Sequence, residues 1–235
     1  MSIAHRVGVS LVVLLVLAAA GCGSTATKPT KKAKPEKPIV PAAVDASAAI
    51  TVDGGRVTVA PPVDWKRQPR SKDYVARYLP GGGNTYPSVT VLGADPPAGI
   101  TAVDAGNQAE FVKAVADSLA QEYTGAEGKS SLLRKPVAVD LGPHKAVVWD
   151  APGTAKVGGL SQPIERSCAA VVVAGRMYTI EARAPKGKLD DAGRATARGV
   201  AAGIALAPTN DPQPAPTPEP DPQPEPAAQP DAAAE

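Results

Sequence analysis

The chain has 235 residues, 43% hydrophobic but only 3% aromatic, with a formal net charge of +2. That length admits one or two domains, and the mild, scattered basic charge excludes a nucleic-acid surface. The layout is uneven: Lys28, Lys31, Lys32, Lys34 and Lys37 crowd one stretch, whereas Asp211, Glu219, Asp221, Glu225, Asp231 and Glu235 stand in a C-terminal tail without a base.

At the N-terminus, Arg6 precedes a run from Val7 to Gly21 that is apolar or small throughout. As a helix this run would span about 22 Å, short of the ~30 Å hydrocarbon core, so it predicts a secretory leader rather than a permanent span. Its end, Ala18-Ala19-Ala20-Gly21, meets Cys22 directly. This small-small-Cys arrangement resembles the bacterial lipoprotein signal, with Ala19 standing where that family usually has Leu. The resemblance implies a signal peptide over 1–21 and lipidation of Cys22. The mature chain would then be held on a membrane of the cell envelope, on the periplasmic face of either membrane or the outer face of a single one. Ordinary cleavage after Ala20, leaving a stray thiol, is the alternative. Residues 22–48 are rich in Lys, Pro, Ala and Thr, which predicts a disordered linker with an end-to-end distance of about 28 Å.

The domain is expected over 49–208. Period-2 alternation places strands in "GRVTVAP", "YVARYL", "SVTVLG", "KPVAVDL", "HKAVVWDA", "SCAAVVVAG" and "RMYTIEARA". Asn107 and Glu110 resemble a capping box, followed by an apolar stripe of Phe111, Val115, Leu119 and Tyr123 and a stop at Gly125. A second helix follows Asp190 or Asp191, with Ala197, Val200, Ala201 and Ile204 inward and an end before Pro208. Gly199 and Gly203 lower its helix propensity, which predicts a close approach to the sheet.

The order βββ-α-ββββ-α predicts an α+β domain: a mainly antiparallel sheet of about seven strands with two helices packed on it. Within that order, "GRVTVAPPVDWKRQP" and "GRMYTIEA" resemble the Mog1/PsbP-like fold, in which a Trp, here Trp65, tucks at the sheet edge. The resemblance implies a non-enzymatic binding or accessory module; its ligand is unknown, and an envelope protein is a candidate partner from the expected location. No binding residue is carried over by it.

The tail over 209–235 has Pro at every second position from Pro212 to Pro226. Alternating X-Pro favours polyproline II, about 46 Å over that stretch. A spacer, a ligand for a partner and an acidic strap folding back on basic segments are all compatible with it.

Catalytic motifs are sparse. "TGAEGKSS" contains Gly128-Lys129-Ser130, but it follows a helix and has too few residues between its glycines for a phosphate loop. His144 is the one histidine beyond the leader, and with Cys168 it offers no metal-ligand spacing; no cofactor is implied. With Cys22 acylated, Cys168 has no intrachain partner. Its apolar surroundings predict a small core residue, with an intermolecular disulfide or a nucleophile as alternatives. The alternative function is a cell-envelope hydrolase or redox enzyme using Cys168 or His144.

Overall fold

The computed structural model describes residues 38–208, except 82–84 and 158. The expected leader, most of the linker, Cys22 and the tail lie outside the described residues. Chain order is β1 (Ile50–Val52), β2 (Val57–Val59), β3 (Trp65–Arg67), β4 (Ala76–Pro80), β5 (Ser88–Ala94), α1 (Gln108–Tyr123), β6 (Arg134–Leu141), β7 (His144–Val157), β8 (Leu160–Val173), β9 (Arg176–Pro185), α2 (Asp191–Ala202) and β10 (Ala205–Leu206).

The expected α+β class holds: a seven-stranded sheet in the order β3-β4-β5-β9-β8-β7-β6, antiparallel throughout. Its membership differs from the sequence reading in one place. The "GRVTVAP" strand, β2, leaves the main sheet and pairs with β1 and β10 in a separate three-stranded sheet. The short strand headed by Trp65 takes the edge position instead. A partly buried Trp65 packs there against the core on the α2 side.

The two helices cover opposite faces of the sheet. On one face Ala197, Val200, Ala201 and Ile204 of the α2 region pack against Val148, Ala169, Val171 and Ile180. On the other, Phe111, Val115 and Leu119 of α1 cover Val147, Trp149, Cys168 and Ala170. Strand alternation sorts residues to the two faces, and the helical stripes match them. On the α2 side, the almost fully buried Asp150 carboxylate receives Arg194 Nε at 2.8 Å and lies 3.3 Å from Arg134 Nε. Without these guanidiniums a charge so far from water would not be tolerated.

Helix starts differ from expectation at α1. Asp190 caps α2 as expected, accepting from Gly193 N at 2.9 Å. Asn107 does not cap α1: its Oδ1 accepts from Asp104 N at 2.9 Å and its Nδ2 donates to Ala102 O at 2.9 Å. The preceding loop competes for the side chain and wins.

The glycines of α2 also have a different neighbour from the expected one. Within the stretch read above as the end of the linker, residues 39–44 lie along α2. Ala42 N donates to Ala195 O at 2.8 Å, and Arg198 Nη1 donates to Ile39 O at 2.9 Å. A Cβ at Gly199 would collide with the Ala42 carbonyl oxygen, and one at Gly203 would come within 3.1 Å of Val44. The close approach is therefore to this extended segment, not to the sheet. Gly199→Ala is expected to cost about 1–3 kcal/mol despite its better helix propensity. Urea unfolding should show the loss, and limited proteolysis should show new cleavage between residues 38 and 45. An unchanged midpoint and digestion pattern would mean the segment does not rest on Gly199.

Candidate functional site

Helix α1 roofs β6, β7 and β8 but leaves the β9 and β5 side of the same face uncovered. The result is a cleft of about 430 Å³ between α1, the Asp95–Pro97 segment and the sheet. Its walls are apolar, with Leu92, Pro96, Pro97, Val115, Leu119 and Met177 among the lining residues.

The floor follows from strand register. Trp149 pairs with Cys168, Cys168 with Glu181, Thr90 with Glu181, and Arg77 with Thr90. One row of side chains thus crosses five strands, from an indole to a guanidinium. The neighbouring row holds Ala151, Arg166 and Arg183. Odd and even positions alternate between faces, so these residues share the α1 side.

The charged end of the cleft is tightly organised. Glu181, 4% exposed, accepts from Arg166 Nη1 at 3.1 Å and from Arg183 Nε and Nη2 at 2.9 and 2.6 Å. Arg166 Nη2 also donates to Pro152 O at 3.2 Å and to the Tyr123 hydroxyl at the end of α1. Glu122 stands at the rim, 3.8 Å from Arg166. Burial, and then the neighbouring Glu122, push the Tyr123 hydroxyl above its ordinary range, so it stays protonated.

Five buried polar atoms on this face have no partner within the described residues: Trp149 Nε1, Thr90 Oγ1, Ser88 Oγ, Arg166 Nε and Arg77 Nε. Such atoms are uncommon in folded proteins, and each costs free energy unless something satisfies it. Trp149 and Arg166 both line the cleft. Two N–H donors beside apolar walls suit a ligand that carries an acceptor group and an apolar body.

Cys168 lies in the floor, 2% exposed and unbridged. Burial first, and the Glu181 carboxylate second, raise its thiol well above the ordinary value of 9.0. His144 is on the other face of the sheet, where Nε2 donates to Ile204 O at 2.7 Å and ties β7 to the end of α2. The two residues considered as a nucleophile pair are not brought together. Among the described residues no group of three or more His, Cys, Asp or Glu side chains could hold a metal ion, and no helix is long and apolar enough to cross a membrane. The Gly125–Ser130 stretch forms an exposed turn closed by Gly128 N donating to Gly125 O at 2.9 Å.

The geometry defines an α+β domain with a half-roofed sheet and an amphipathic cleft. No protein-family model matches the sequence, and no curated protein is similar to it. Several solved structures are similar at low identity. A protein of Bacteroides thetaiotaomicron is 10% identical over 67% of this chain, with a TM-score of 0.37; the match spans only 47% of that protein. LpqN of Mycobacterium tuberculosis, described as involved in cell envelope biogenesis, is 15% identical over 66% of this chain and 87% of its own, with a TM-score of 0.36. The cyanobacterial PsbP protein (CyanoP) of Synechocystis sp. PCC 6803 is 12% identical over 67% and 91%, with a TM-score of 0.41. At these values the likeness assigns no residue and no ligand to this chain.

The state of the thiol is directly measurable. Below pH 9 both folded and unfolded chains keep the Cys168 proton; above it the unfolded chain ionises first. Stability should therefore fall as pH rises past 9, by up to about 1.4 kcal/mol per unit, until the folded thiol itself ionises. Iodoacetamide at pH 8.5 should modify Cys168 at least about 100-fold more slowly in the native domain than in denaturant. Comparable rates would put the thiol at the surface.

Proposed function

We propose that this chain is a lipid-anchored, non-enzymatic binding module of the bacterial envelope. Cys22 carries the acyl groups, and the α1 cleft holds the ligand or the exposed group of an envelope partner. The observation that carries the binding reading is the pairing of apolar walls with Trp149 Nε1 and Arg166 Nε, both buried without acceptors. The Ala18-Ala19-Ala20-Gly21-Cys22 stretch supports the anchor. One acyl chain holds a protein only marginally and two hold it firmly, so the arrangement is worthwhile only with multiple acylation. The hydrolase or redox alternative has less support. It requires a thiolate or an activating base at Cys168, whereas burial opposes the thiolate and His144 faces the other way.

Two measurements test separate halves of this reading. Cys22→Ala is expected to move the protein from the membrane fraction to the soluble one; continued membrane retention would sink the anchor. Ser118 is exposed on α1 at the lip of the cleft, away from the packed stripe. Ser118→Trp should block the opening with little change in stability and abolish recovery of whatever copurifies or crosslinks in intact cells. If the same species were recovered with the blocked variant, binding would not use this cleft.

A further inference from the structure

A second cleft, of about 460 Å³, opens near the other end of the sheet, with Arg67, Arg70, Lys72 and Arg176 in its lining against two carboxylates, Asp53 and Asp73. Both acids are already engaged. Asp53 accepts from the Tyr178 hydroxyl at 2.7 Å and lies 3.2 Å from Arg176 Nε, while Asp73 accepts from Ser71 Oγ at 3.2 Å. Arg67, Arg70 and Lys72 are exposed, and none is paired with a carboxylate among the described residues. The turn carrying the last two is fixed by a Ser71–Tyr74 bridge and by the Tyr74 hydroxyl donating to Pro69 O at 2.5 Å. The cations are thus displayed on a built surface.

The end of the described chain runs to the wall of this cleft. Strand β10 pairs with β2, placing Leu206 opposite Val57, and Ala207 N donates to Arg56 O at 3.0 Å. Arg56 follows Gly54 and Gly55, which line the cleft. The chain beyond Pro208 therefore begins beside a positive surface, and it carries Asp211, Glu219 and Asp221 with no base. Asp211 is within about 10 Å of chain from Pro208.

We infer that the basic cleft is a site for an acidic, extended peptide, and that its resident occupant is this chain's own Pro-rich tail. Single exposed ion pairs contribute little, too little to retain a free peptide. Tethering changes the balance, because a short connection gives millimolar effective concentration without any new contact. Alternating prolines help as well, since a sequence that favours polyproline II has less conformational freedom to lose on docking as an extended peptide. The outer cations Arg67, Arg70 and Lys72 would meet the tail carboxylates, leaving Asp53 with its present partners.

Zero-length carbodiimide coupling of the full-length chain, followed by peptide mapping, tests this. The expected product joins Lys72 Nζ to Asp211, Glu219 or Asp221, roughly fivefold or more above coupling at the exposed Lys156 and Lys186. Salt at about 0.5 M, where the screening length is about 4 Å, should reduce that product several-fold. Neutralising the acids together (Asp211→Asn, Glu219→Gln, Asp221→Asn) should abolish it with no change in melting temperature. Even coupling over all lysines, or a Lys72 product that survives the neutralised tail, would overturn the inference. So would links that form only between isotopically distinct copies, because the occupant would then be another molecule.

Discussion

Cys168 and Ala169 are consecutive in sequence, face opposite sides of β8, and are 2% and 0% exposed. A strand kept dry on both faces cannot follow the in–out polarity of a half-exposed sheet. The whole chain has one Phe and two Trp, so bulk has to come from many small contacts rather than a few large ones. The run Ser167-Cys168-Ala169-Ala170 meets that demand by being small on both sides. Helix α2 can then lie close over one face of β8 while the α1 side chains reach Cys168 and Ala170 on the other, and close packing recovers dispersion energy that large aromatics would otherwise supply. Helix α1 lies over β6 and β7 and reaches Cys168 and Ala170 of β8, while α2 lies over β8 and β9 on the opposite face.

That placement also creates the cleft. One helix is too narrow to cover seven strands, and what lies past its edge is more polar: Thr90, Glu181, Arg183 and Arg77. Glu181 shows how such a residue survives at 4% exposure. Two guanidiniums enclose its carboxylate, one on each oxygen, and removing both would leave a buried charge uncompensated, a change that typically costs about 3–5 kcal/mol. The pair of arginines is held in turn, Arg166 by Pro152 and Tyr123 and Arg183 by its fork geometry. Each charged group at this end of the cleft thus has at least one fixed partner.

The strands with clear alternation and both helices were legible in the sequence, because periodicity reports burial on one face. Elements that failed to register did so for local reasons. Pro152, Gly153 and Pro163 interrupt the alternation, yet β7 and β8 continue through them as a paired ribbon in which Thr154 stands opposite Pro163. Strands β1 and β10 are too short to show a period at all. Gly199 announced a close approach correctly but could not name the neighbour, since residues 39–44 look like linker by composition. The cleft was the least readable part. Thr90, Trp149, Cys168 and Glu181 are distant in sequence and meet only through register. One signal was available: Glu181 occupies an alternating position within the otherwise apolar "MYTIEA", where an acid must be either exposed or paired.

The segment from Ile39 to Asp45 has a mechanical consequence. Its backbone is bonded to α2 through Ala42 and to the turn before β3 through Asp45 N, which donates to Pro61 O at 2.8 Å. A pull applied at Pro38 would not start by peeling the weak three-residue strand β1. It would be shared at once between a helix packed on the sheet and the loop leading to its edge strand. The chain is clamped upstream of its most easily frayed element, so tension on the N-terminal side spreads into the thickest part of the fold.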